Sequence, residues 1–106
     1  MPKFLFKVSY TLEGIKGVQS EGGSSRRDAS AQVAESVGGR LEAFYFAFGD
    51  RDVYEILDLP DNESAAAVAV TATAAGGATV ETVVLLTPEE VDAAMQRSVE
   101  YRPPRG

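Results

Sequence analysis

Between Arg40 and Phe48 apolar side chains fall on both parities: Leu41, Ala43, Tyr45 and Ala47 on one, Phe44, Phe46 and Phe48 with Glu42 on the other. Alternation over this length predicts a strand, and a strand apolar on both sides needs a covering layer on each. Val53 to Leu59 is a second apolar run, and Gly49-Asp50-Arg51-Asp52 between them has turn composition. Gly38 to Pro60 therefore predicts a β-hairpin.

Earlier in the chain, Phe4, Phe6, Val8 and Tyr10 alternate with Lys3, Leu5, Lys7 and Ser9, which predicts a strand over Lys3 to Tyr10 with one greasier face. Thr11 can cap a helix carrying Leu12, Ile15 and Val18 and ended by Gly22-Gly23, although Gly14 and Gly17 cost it about 1 kcal/mol each relative to alanine. A further helix is predicted from about Ser25, where Ser25-Arg26-Arg27-Asp28 resembles a capping box and Ala29, Val33 and Val37 line one face up to Gly38-Gly39.

After the hairpin, Pro60-Asp61-Asn62 offers an N-cap to an alanine-dense segment, Glu63 to Ala75. Its length and the Gly76-Gly77 stop favour helix over a strand through Val68 to Thr73. Ala78 to Leu86 predicts a strand. Thr87, Pro88 and Glu90 then supply an N-cap, a first-turn proline and a capping-box glutamate to a C-terminal helix reaching about Ser98, with Val91, Ala94 and Met95 on one face. The chain divides into one domain over residues 1–100 and a proline-containing tail over residues 101–106, extended or lying on a neighbour.

The order β, α, β, β, α, β, α matches a ferredoxin-like split β-α-β sandwich of the α+β class, with a four-stranded antiparallel sheet and an added C-terminal helix. Right-handed crossovers place both long helices on one face of the sheet. The doubly apolar Arg40 to Phe48 strand then calls for a second subunit on the other face, so a homodimer or higher homo-oligomer enclosing a barrel-like space is expected.

Composition narrows the chemistry. With 106 residues, 44% hydrophobic and 25% charged, the chain fits one globular domain. No cysteine and no histidine are present, which excludes disulfides, thiol nucleophiles and sulfur-ligated metals and removes the usual zinc and haem ligand and the commonest general base. No cofactor and no metal are expected. A net charge of −6 with no basic cluster larger than Arg26-Arg27 argues against nucleic acid and anionic lipid as partners. No apolar run is long enough to span a membrane, and Lys7 and Ser9 interrupt the N-terminal apolar patch, so neither a membrane anchor nor a signal peptide is expected and a cytoplasmic location is.

Several residues are candidates for a site. Asp50 and Asp52 can bind a hard cation, act as acid and base, or satisfy the backbone of a turn. Arg26 and Arg27 can grip an anion near a helix start or form a solvated, salt-bridged face. Tyr10, Tyr45 and Tyr54 can project hydroxyls into a cavity or pack in the core. Lys7 and Glu55, charged within apolar strands, form a buried pair if both face the dimer interior, or lie exposed at an edge.

The segment FYFAFGDRDVYEILDLPDNESAAA resembles the GYD domain family, and the resemblance extends over nearly the whole chain. It rests on Tyr10-Thr11, Glu13-Gly14, Lys16-Gly17, Gly22-Gly23 followed by Arg26-Arg27, Gly38-Gly39, Phe48-Gly49, Asp52, Leu59-Pro60 and Leu86-Thr87, with Arg51 standing where tyrosine is usual. It implies a small ferredoxin-like protein akin to the dimeric α+β barrel proteins. The leading functional expectation is an oligomeric small-ligand-binding protein with a mostly apolar cavity between facing sheets, polar groups coming from Tyr10, Arg27, Tyr45 and Asp52, with Lys7 a further candidate. One alternative is a cofactor-independent oxygenase or isomerase of the dimeric α+β barrel type. Another is a structural module docking through Glu63 to Ala75.

Overall fold

The computed structural model describes residues 1–105. Its elements run β1 (Lys3–Tyr10), α1 (Leu12–Glu21), α2 (Gly23–Ser36), β2 (Arg40–Phe46), β3 (Val53–Asp58), α3 (Asn62–Ala74), β4 (Ala78–Leu85) and α4 (Pro88–Met95). The four strands form one antiparallel sheet in the order β2-β3-β1-β4, the ferredoxin-like arrangement expected of the sequence. Helices α2 and α3 cover one face, α2 over β2 and α3 over β4.

The register of the central pair decides which residues meet those helices. Phe4, Phe6 and Val8 of β1 stand opposite Leu57, Glu55 and Val53 of β3, and residues directly opposite share a face. The core consists of this set with Leu59, Ala34 of α2 and Ala65 and Val68 of α3. On the other face Leu5 is paired with Ile56 and Val83, and Ile56 in turn with Ala43. Among the described residues no helix is packed over that face.

Two local expectations change. Strand β2 contains a bulge at Glu42, where the pairing steps from Leu41 with Leu57 to Ala43 with Ile56. The extra residue resets the alternation, so Leu41 joins Phe44 and Phe46 on the helix side while Ala43 and Tyr45 occupy the open side. Phe48 lies beyond the strand with φ 56° and stacks on Phe46, ring centroids 5.5 Å apart. Helix α2 begins at Gly23, not at Ser25: Gly22 takes φ 89° and lets the chain turn from α1 directly into α2. Ser25 is thus already inside the first turn, where its Oγ donates to Glu21 Oε1 at 3.3 Å, and Ala34 rather than Val33 is the fully buried residue of the helix.

Other caps follow the sequence. Thr11 Oγ1 accepts from the Gly14 amide, Asp61 Oδ1 from the Ser64 amide, and Thr87 with Glu90 completes the capping box of α4. Every residue from Pro88 to Arg105 is nevertheless exposed, the apolar stripe of Val91 and Met95 included. The radius of gyration is 16.7 Å, against about 13 Å for a compact domain of this length, because this C-terminal segment projects. Gly106 of the tail lies outside the described residues.

Helix α1 is docked on the turn between α3 and β4: the Thr11 amide donates to Gly77 O at 3.0 Å and Thr11 Oγ1 to Gly76 O at 2.9 Å. Gly14 is needed there, since a Cβ at that position would sit 1.8 Å from Gly77 O, whereas one at Gly17 would meet only Glu21 Oε2 at 3.7 Å. Gly14→Ala is therefore expected to cost at least ~2 kcal/mol of unfolding free energy, and Gly17→Ala to raise it by up to ~1 kcal/mol. Urea denaturation of both variants checks the contrast; equal effects would contradict the close approach.

Candidate functional site

Strand β3 turns Val53, Glu55 and Leu57 toward the helices, so a carboxylate stands in the middle of the apolar face. Its neighbours across the ladder are Phe6 on β1 and Phe44 on β2, and the residue is only 6% exposed. Its one hydrogen bond comes from Ser30 Oγ of α2 to Oε2, a long 3.4 Å. Arg26 precedes Ser30 by four residues and so occupies the same side of the helix. Both, with Glu55 and Tyr10, line a cavity of about 120 Å³ between the sheet and the helix layer, to which α3 contributes Val68 and Ala72.

Burial pushes the Glu55 carboxyl up to about 7, the Ser30 hydroxyl and the Arg26 charge pulling weakly the other way. Burial also raises the Tyr10 hydroxyl, with neighbouring Arg26 opposing the shift and Glu55 and Asp52 adding to it. Tyr10, Arg26, Ala72 and Ala78 are shared with a second recess of about 220 Å³ bounded by Gly14, Gly17, Glu21 and Gly77, so Tyr10 and Arg26 stand where the two spaces adjoin. The arrangement is an apolar chamber with one buried acid at its floor and a cation and a phenol at its mouth.

The residues singled out from the sequence are dispersed. Tyr10 lines the cavity. Asp52 lies beside it and accepts the Tyr10 backbone amide at Oδ2, 2.8 Å, which is turn satisfaction that also fixes the end of β1. Arg27 is exposed and paired with Asp28 at 3.3 Å; successive helical residues point about 100° apart, so Arg26 takes the inward position. Tyr45 is 72% exposed on the open face, opposite Tyr54, and is not brought near Tyr10.

Of the two alternatives for Lys7 and Glu55, a buried pair or exposure at an edge, neither describes both residues. The register sets Lys7 against Tyr54 and Glu55 against Phe6, which puts them on opposite faces, and Lys7 instead approaches Glu81 at 3.8 Å. Asp50 is exposed, and among the described residues no three acidic side chains gather as a metal site would require. Arg51 reaches across the sheet end to Glu81. Ser30 was not foreseen, nor the inward turn of Glu55; the signal was the parity of Val53, Glu55 and Leu57, which places the acid with two residues of core type.

The linkage follows from the direction of the shift. Between the ordinary value of 4.5 and about 7 the folded state holds a proton at Glu55 that the unfolded chain has lost, so its contribution falls as pH rises through that window. Above it, the buried charge costs about 3 kcal/mol. Glu55→Gln, which cannot ionise, is expected to stabilise the fold by about 2–3 kcal/mol more at pH 8 than at pH 5. Chemical denaturation at the two pH values checks this, and a gain that does not change with pH would contradict burial of the carboxyl.

No helix among the described residues is long and apolar enough to cross a membrane. No curated protein and no solved structure matches the chain. The GYD domain matches it over residues 4–95, from the first core phenylalanine of β1 to the end of α4, and the chain belongs to the GYD domain family.

Proposed function

We propose that the protein binds a small, largely apolar ligand in the cavity between its sheet and its helices, and that it does so as a homodimer or higher homo-oligomer joined across the open sheet faces. The observation that carries the first part is Glu55: an acid with a single long hydrogen bond, kept in an apolar chamber that opens toward Arg26 and Tyr10. An apolar or amide residue there would serve the fold better, and a retained buried acid in a recess marks a functional site.

The sequence alone suggested a cavity between facing sheets. The recess within a single chain lies on the other side of the sheet, which separates the ligand site from the expected subunit contact. Support for the contact comes from a stripe of Ala43, Ile56, Leu5 and Val83 that crosses all four strands. On one side it is bordered by Lys3 and Arg40 paired with Asp58, each at 2.8 Å, and by Glu42, which also pairs with Lys3. On the other it is bordered by Lys7 and Arg51 around Glu81. An apolar centre with a charged rim of both signs suits a two-fold, self-complementary interface.

A second reading, the cofactor-independent oxygenase or isomerase, draws on the same acid. A carboxyl titrating near neutrality inside a water-poor chamber can take and return a proton on a bound carbonyl or phenol, with Arg26 stabilising the resulting oxyanion.

Two measurements test the proposal. In amide NMR against a fragment library, ligands are expected to move Ser30, Glu55, Val68 and Ala78, and Ala72→Phe, which puts a ring in the mouth, is expected to remove the response; shifts confined to the open face would contradict the site. In sedimentation velocity at micromolar concentration the protein is expected to run as a dimer or larger and Leu5→Asp as a folded monomer. A monomeric parent protein would contradict the interface.

A further inference from the structure

Polar groups around the cavity are unequal in kind. Arg26 is a donor only; on the side of the outer recess, which Glu21 also lines, it approaches the Glu21 carboxylate at 3.7 Å, and on the chamber side it faces Glu55. Tyr10 adds a hydroxyl at the same mouth. Ser30 Oγ donates its hydrogen bond to Glu55 Oε2, so the acid form of Glu55 has an O–H without an acceptor among the described residues. The other ionisable groups facing Glu55 are Arg26 from α2 and Tyr10 from β1; α3 contributes Val68 and Ala72, and β4 contributes Ala78 and Val80. Three donors and one positive charge thus face a chamber whose remaining walls are apolar.

Resting on the ligand-binding reading above, we propose that the ligand is a small monocarboxylate with a compact apolar body, its carboxylate held by Arg26 and Tyr10 and sharing the Glu55 proton, its body packed against Phe6, Leu57 and Val68. A carboxylate offers about four lone-pair positions to these donors, and an O–H···O⁻ contact between two carboxyl groups is among the shorter and stronger hydrogen bonds. An ammonium ligand would meet the Arg26 guanidinium at the mouth, and a neutral alcohol would give that guanidinium no anionic partner on the chamber side, Glu21 meeting it only from the outer recess. Size agrees: an engineered cavity of about 150 Å³ holds benzene, and here about 120 Å³ adjoins a further 220 Å³ beyond Tyr10 and Arg26.

Because the complex needs Glu55 protonated, binding is coupled to proton uptake at neutral pH. The test is isothermal titration calorimetry of the full chain with three size-matched probes, benzoate, benzylamine and benzyl alcohol, at pH 6 and pH 8 and in two buffers of different ionisation heat. Benzoate is expected to bind at least ~10-fold tighter than the other two at pH 6, to take up about 0.1 proton at pH 6 and about 0.9 at pH 8, and to weaken about tenfold by pH 8. Arg26→Gln is expected to remove about tenfold of the benzoate affinity. Glu55→Gln, which cannot ionise, is expected to lose the pH dependence. Tighter binding of benzylamine, or an unchanged pH slope in Glu55→Gln, would overturn the carboxylate assignment while leaving a ligand site in place. Silence from all three probes, in heat and in the amide shifts of the cavity lining, would overturn both.

Discussion

A strand alternates its side chains between two faces, so the pairing of β1 with β3 distributes the whole chain between them. With Phe4, Phe6 and Val8 opposite Leu57, Glu55 and Val53, the helix side gains its aromatic floor and, in the same step, an acid at its centre. A slip of one residue would send Leu5 and Lys7 under the helices and leave Phe4 and Phe6 in solvent. The register that stabilises the core is therefore the one that buries Glu55, and neither can change without the other. Neighbouring strands extend the pattern: β4 continues the helix side with Val80, and the bulge at Glu42 lets β2 add Leu41 and Phe44 to it.

The acid opposes the fold that positions it. At about 3 kcal/mol when ionised, its cost is a large share of the 5–15 kcal/mol by which small domains are stable. The remaining structure is arranged around tolerating it. Ser30 gives it one hydrogen bond, Arg26 one nearby charge, and the small side chains of Ala72 and Ala78 leave space above it. Close docking of Gly14 on Gly77 holds α1 beside the turn that leads into β4, which sets the width of the outer recess. The cavity is thus made by small residues at close approaches and not by a gap in the packing.

Much of this architecture was legible in the sequence because its signals are local. The alternation of β1, the paired apolar runs of the hairpin, and the Thr87-Pro88-Glu90 cap each specify their element within a few residues, and the structure has them there. What escaped depends on geometry beyond the local pattern. A one-residue bulge at Glu42 leaves no compositional mark yet reverses the facing of Leu41. The start of α2 was assigned to a serine that resembles a cap, whereas Gly22 permits an earlier start through its positive φ. Arg26 and Arg27 are equivalent as letters and differ only by a rotation of the helix, which the start of α2 fixes. Tyr45 and Tyr10 look alike as strand tyrosines but fall on opposite faces once the strands are paired. Of the candidate site, Tyr10 lines the cavity, Asp52 is its neighbour, and Glu55, which stands out in the sequence only as a charge within an apolar strand, is buried without Lys7, because Lys7 belongs to the other face.

Fold and site both depend on the protonation state of one side chain, which can be read directly. Carbon-13 NMR titration of the Glu55 carboxyl, assigned by its disappearance in Glu55→Gln, is predicted to give a midpoint near 7, about two and a half units above an ordinary glutamate. A midpoint near 4.5 would mean that water reaches the carboxylate freely, and would contradict the buried acid on which the site, its ligand chemistry and its pH dependence all rest.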